Sequence, residues 1–143
     1  MSVSSILKSK GSAVFTVRPD HTLAYVATIL STKNVGVVVV CDAKGQVVGL
    51  VSERDIVRGI ASYGKEGHDM PVRSIMSSPV LACSPTDTVK HILQVMTESR
   101  VRHLPVMEHG DLIGIVSIGD AVNHRLMESQ EEMGVLRDFA VIR

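Results

Sequence analysis

A nine-residue pattern occurs twice in this chain, and that repetition constrains the fold more than any other feature. Gly49-Leu50-Val51-Ser52-Glu53-Arg54-Asp55-Ile56-Val57 returns as Gly114-Ile115-Val116-Ser117-Ile118-Gly119-Asp120-Ala121-Val122. Both copies follow Gly-x-Val-Ser-x-x-Asp-x-Val, an apolar run that ends at a serine and hands over to a helical pattern. The repetition reaches upstream: Pro19 and Pro85, Thr22 and Thr88, and Val35 and Val101 are each 66 residues apart. Beyond the next turn the spacing drops to 65, as at Gly45 and Gly110, Gly49 and Gly114, Ser52 and Ser117, and Asp55 and Asp120. One residue is lost between those points, in a turn, where loss is tolerated. A duplicated strand-to-helix corner in 143 residues implies two half-domains.

The periodicities give each half the same order of elements. Residues 3–7 suggest a helical turn, with a polar stretch over 8–12, and residues 14–17 a short strand. Asp20 is placed to cap a helix whose stripe is Leu23, Val26, Ala27 and Leu30, stopped by Asn34 and Gly36. Residues 37–41 form a continuous apolar run suited to a strand buried on both faces. Asp42 to Gly45 is a turn, 46–51 the returning strand, 53–63 a helix and 64–70 a linker. In the second half, 72–76 echoes 3–7, and 80–82 is the short strand. A helix starting at Thr86 buries Val89, Ile92, Leu93 and Met96, and 104–107 and 112–116 form the hairpin around Glu108 to Asp111. Each half is thus β-α-β-β-α, too small to be comfortable alone.

Composition narrows the function. Hydrophobic residues make up 45% of the chain but aromatics only 3%, so the core is aliphatic. The formal net charge is zero, which argues against the basic, aromatic-bearing face of a nucleic-acid binder. No apolar run approaches a membrane span, and the N-terminal segment lacks a signal-peptide core. Cys41 and Cys83 are widely separated and sit in apolar runs, as expected of reduced thiols in a soluble, cytoplasmic protein. Hydrolase elbows, Walker loops, zincin helices and paired-cysteine metal sites are absent, so neither catalysis nor a metal is expected. His124, four residues after Asp120, reads as its i, i+4 partner rather than a triad fragment.

The corners carry the chemistry. Ser52 and Ser117 fall at helix N-caps with Asp55 and Asp120 at N3, the spacing of a capping box. That arrangement explains the residues structurally, but it does not exclude a ligand. A helix N-terminus favours an anion, and a carboxylate there can accept the two hydroxyls of a ribose diol.

The repeat, its length and its two corners resemble a tandem pair of CBS domains, the module named after cystathionine β-synthase. The resemblance covers residues 3–127, as repeats over 3–64 and 72–127, with 128–143 as a C-terminal helical extension. The segments 52–55, 100–106 and 117–122 are similar to stand-alone pairs related to the regulatory domain of inosine monophosphate dehydrogenase. The family implies an α/β (α+β) fold in which the repeats are related by a pseudo-twofold axis with their sheets face to face. It also implies adenosyl ligands in two clefts: AMP first, with ATP or NAD next, and ADP or S-adenosylmethionine within the family's range.

By that resemblance one nucleotide cleft joins Ser52, Arg54 and Asp55 to Val80, Leu81, Ala82, Val101, Arg102 and His103, with Arg73 nearby. The other joins Ser117, Ile118, Gly119 and Asp120 to Lys10, Ser12, Ala13, Val14, Gly36 and Val37. Arginines suit phosphate through their fork, and the short apolar strands suit adenine. The family further implies a regulatory module acting in trans on a protein target, and a homodimer. The tail stripe Leu136, Phe139 and Ala140 is a candidate for docking on a second subunit. The alternative is a structural adaptor whose clefts are vestigial.

Overall fold

The computed structural model describes the backbone of residues 1–140 and the side chains of residues 1–131. The chain divides into two compact units, Ala13–Leu81 and a unit made of Met1–Ser12 with Ala82–Arg143. These boundaries do not follow the repeats, because each unit takes in the opening segment of the other repeat.

In the unit Ala13–Leu81, β1 (Thr16–Val17), β2 (Val37–Cys41) and β3 (Val47–Ser52) form a sheet in that order. β1 runs parallel to β2, and β3 antiparallel. Between them lie α2 (Leu23–Lys33) and, after β3, α3 (Glu53–Tyr63). Short 3₁₀ turns at Gly64–Asp69 and Val72–Ser74 close the unit. The stripe expected on α2 is the one buried: Leu23, Val26 and Leu30 pack with Val17, Val38, Val40, Val51, Ile56 and Val72. β2 explains its own composition, since Val37 through Val40 are all buried and only Cys41 at its end is half-buried.

The other unit begins with α1 (Val3–Lys10) and continues through α4 (Val89–Ser99), β4 (His103–Glu108), β5 (Asp111–Ser117) and α5 (Ile118–Ala140). β4 and β5 pair antiparallel, and Val3, Ile6, Val89, Ile92, Met96, Leu104, Val106 and Val116 fill the core. α1 and the Val72–Ser74 turn play equivalent parts. Leu7 lies against Gly114, and Met76, 69 positions later, lies against Gly49.

Three local expectations are corrected. Thr22, not Asp20, caps α2, its hydroxyl accepting the Tyr25 amide at 3.1 Å. Asp20 lies in the preceding turn, where the Arg18 amide donates to His21 Nδ1. Likewise Thr88, not Thr86, caps α4, taking the His91 amide at 3.0 Å. The strand expected at 80–82 does not form; Cys83 keeps a single parallel bridge to Val106, the counterpart of the pairing between Val17 and Val40.

The hairpins account for the lost residue. In the first, the Asp42 amide donates to the Gln46 carbonyl, enclosing a three-residue loop that ends on Gly45 at φ 81°. In the second, Glu108 pairs with Asp111 across only His109 and Gly110, at φ 52° and 82°. A three-residue loop with a left-handed glycine and a two-residue loop with both centres left-handed are the two common solutions for a tight hairpin.

Candidate functional site

Each strand-to-helix corner is a reciprocal cap. Ser52 Oγ accepts the Asp55 amide at 3.2 Å, while Asp55 Oδ2 accepts the Ser52 amide at 2.9 Å and its hydroxyl at 3.0 Å. In the second corner the Asp120 amide donates to Ser117 Oγ at 3.0 Å, and Asp120 Oδ2 accepts the Ser117 amide at 2.9 Å. A further tether holds each corner to its own sheet: Glu53 donates to the Gly36 carbonyl at 3.0 Å, and Ile118 to the Arg102 carbonyl at 2.8 Å.

These bonds decide what a corner can still offer. The first and third amides of each helix are already taken, which leaves at most the second of the three, Arg54 N–H or Gly119 N–H, for a ligand. One amide is a poor phosphate cradle. The carboxylates keep more capacity: Oδ1 of both Asp55 and Asp120 has no partner among the described residues. Both residues are half-buried, so the open oxygen sits in a fixed orientation at the surface. A fixed acceptor of that kind suits a pair of hydroxyls better than a phosphate.

The corners differ in charge. Lys10, the last residue of α1, puts its ammonium 2.6 Å from Asp120 Oδ2. Burial alone would raise the Asp120 carboxyl, but the Lys10 hydrogen bond, the Ser117 amide, the Lys10 charge and the Ser117 hydroxyl together hold it below the usual carboxylate range. Asp55 has no such ion pair among the described residues. Its neighbours on α3 instead line an open depression of about 270 Å³, formed by Asp55, Arg58, Gly59, Ser62, Tyr63 and Ile75. Arg58, Ser62 and Tyr63 were not among the residues expected from the sequence, although 55, 58, 59 and 62 share one helical face.

The remaining expected residues fall in both units. With the Ser52 corner, in the unit Ala13–Leu81, lie Ala13, Val14, Gly36, Val37, Arg73, Val80 and Leu81. Val37 pairs directly with Ser52 and Gly36 accepts the Glu53 amide, so both join that corner. Arg73 does not. It lines a separate depression of about 340 Å³ with Arg18, Pro19, Asp20, Asp42 and Ala43, at the turn end of the β2–β3 hairpin. That end is about 15–20 Å from Ser52 at the usual strand rise. Arg54 and Leu81 are exposed, Ala13 also, and Val14 and Val80 half-buried.

With the Ser117 corner lie Lys10, Ser12, Ala82, Val101, Arg102, His103, Ile118 and Gly119. His103 pairs with Ser117 across the ladder, and Arg102 meets Ile118 through its carbonyl while its side chain is exposed. Ser12 and Ala82 are exposed, Val101 half-buried. His124 is not the partner of Asp120. It is buried, with Nδ1 2.9 Å from Met1 Sδ.

The CBS domain family model matches residues 3–62 and again 72–126. The chain belongs to the CBS domain family. CBS domain-containing protein YhcV of Bacillus subtilis is 31% identical over 128 residues, covering 89% of this chain and 90% of that protein. The crystal structure of the CBS-domain containing protein ATU1752 from Agrobacterium tumefaciens superposes with a TM-score of 0.82 at 40% identity, over 87% of this chain and 92% of its own. CBS domain protein PAE2072 from Pyrobaculum aerophilum, solved in complex with AMP, gives a TM-score of 0.74 at 31% identity, over 84% and 89%. The tandem CBS pair and its mixed α/β fold are thereby established. Among the described residues no group of side chains could hold a metal ion, and no helix is long and apolar enough to cross a membrane.

Proposed function

We propose that this CBS pair is a regulatory module that binds an adenine nucleotide, AMP foremost and ATP or NAD as alternatives, and relays its occupancy to a protein target in trans. The observation that carries this reading is the half-satisfied aspartate of each corner. The capping box occupies Oδ2 and leaves Oδ1 of Asp55 and Asp120 without a hydrogen-bond partner among the described residues. A carboxylate held in that way is suited to a ribose diol, and a charged hydrogen bond of this kind is worth about 1.5–3 kcal/mol. Arg54 beside the first corner and Lys10 at the second supply cations for the phosphates. Support from relatives is the AMP complex of the Pyrobaculum aerophilum protein.

The protein acts without catalysis, in the cytoplasm, as a homodimer. The free thiols of Cys41 and Cys83 fit that compartment. For assembly, the supporting feature is exposed apolar surface on equivalent helices: Val57, Ile60 and Tyr63 on α3, and Val122, Leu126 and Met127 on α5.

Thermal shift with AMP, ATP and NAD tests the proposal, because a ligand that binds only the folded state raises the midpoint. A rise with AMP is expected. No rise with any of the three would favour a structural adaptor.

A further inference from the structure

The two corners differ by one side chain, and that difference bears on which ligands each accepts. α1 lies against Gly114 through Leu7, and its last residue, Lys10, reaches Asp120 Oδ2 at 2.6 Å. In the other unit the equivalent segment lies against Gly49 through Met76, 69 positions after Leu7. The same offset from Lys10 falls on Pro79, which carries no charge. The duplication has thus equipped one corner with an ammonium and left the other without.

That ammonium bears on any ligand seated at Asp120. Oδ2 already accepts from the Ser117 amide, and Lys10 is its second donor. A ribose diol engaging both carboxylate oxygens must therefore share Oδ2 with Lys10 or push it away. A neutral nucleoside has nothing to give the displaced ammonium, which returns to water or competes for the carboxylate. A ligand with phosphate oxygens within reach of the four-carbon stem gives Lys10 a new partner while releasing Asp120 to the diol. The side chain is one-third exposed, so it is free to make that exchange.

We infer that Lys10 is a specificity-determining residue, making the Ser117–Asp120 corner selective for phosphorylated adenosyl ligands over adenosine. The inference rests on the proposed nucleotide-binding function and adds to it the ligand class of one corner.

Calorimetric titration of adenosine and AMP against Asp55→Ala, with and without Lys10→Met, reads the second corner alone. Removing the ammonium should tighten adenosine about two- to fivefold, the scale of a partly exposed ion pair. It should weaken AMP about tenfold, the low end for a charged hydrogen bond. Lys10→Arg should keep the preference for AMP. Equal changes for the two ligands in Lys10→Met would overturn the inference while leaving nucleotide binding intact, since Lys10 would then only anchor α1. Absence of binding by either ligand to the unmodified chain would overturn the proposed function, and the inference with it.

Discussion

The glycine that opens each repeated motif is a packing requirement, and its substitution should have unequal effects in the two repeats. A Cβ on Gly49 would lie 2.5 Å from Met76 Sδ, 2.8 Å from its Cγ and 3.1 Å from its Cβ. A Cβ on Gly114 would lie 2.9 and 3.2 Å from the two methyls of Leu7 and 3.6 Å from its Cγ. The Leu7 methyls are the tip of a side chain and yield by a rotamer adjustment. Met76 is met along its stem, close to the backbone, so the 72–76 segment itself must move. Overpacking of that sort costs about 1–3 kcal/mol, against about 0.4–1 kcal/mol gained by restricting the unfolded chain. Gly49→Ala should therefore destabilise by about 1–2 kcal/mol and Gly114→Ala by under about 1 kcal/mol. At about 3 °C per kcal/mol for a chain of this size, calorimetric midpoints should fall by about 3–6 °C and by less than about 3 °C. A Gly49→Ala/Met76→Ala double variant should lose less than the sum of its parts, because the clash is removed with the side chain. Equal losses at both glycines, or strict additivity with Met76→Ala, would refute the reasoning.

Other consequences are measurable by simpler means. Burial and then the nearby Asp87 charge push the Cys83 thiol up to about 12, so in the folded protein it should resist alkylation at neutral pH and react only on unfolding, which mass spectrometry of iodoacetamide-treated protein detects. Because Asp120 titrates below its usual range when folded, its contribution to stability is present at neutral pH and lost as pH falls through that depressed value. Lys10→Met should therefore lower the melting midpoint at pH 7, with the gap from the unmodified chain closing in acid. Arg102→Ala should weaken AMP more than adenosine, and less so at high salt, because an exposed guanidinium acts through a screened charge. Titrations at two salt concentrations read this directly.

Much of the fold is written locally. The apolar stripe of α2, the all-buried run of β2 and the Ser-x-x-Asp caps follow from periodicity and spacing, and they form as read. What failed was competition between neighbours. Asp20 and Thr22 are both capping residues, and only the turn from Arg18 to His21 decides that Thr22 caps. Thr86 and Thr88 pose the same choice, settled when Asp87 turns back to accept the Ser84 amide at 2.8 Å. Residues 80–82 have strand composition, yet in this half the pairing with β4 shrinks to Cys83.

The assignment of α1 to the second repeat depends on Leu7 meeting Gly114 across more than a hundred residues, which no local pattern encodes. For the same reason the sequence supplied Lys10 and Asp120 as neighbours of a ligand but not of each other. Arg73, grouped with the Ser52 corner, belongs to the far end of its hairpin.

The central claim is that the two corner aspartates hold an adenine nucleotide. Calorimetric titration of AMP against the unmodified chain and against Asp55→Ala/Asp120→Ala, with circular dichroism confirming that the variant folds, tests it most directly. Saturable binding that disappears in the folded double variant is the predicted result. Binding of unchanged affinity in that variant, or none to the unmodified chain, would contradict it.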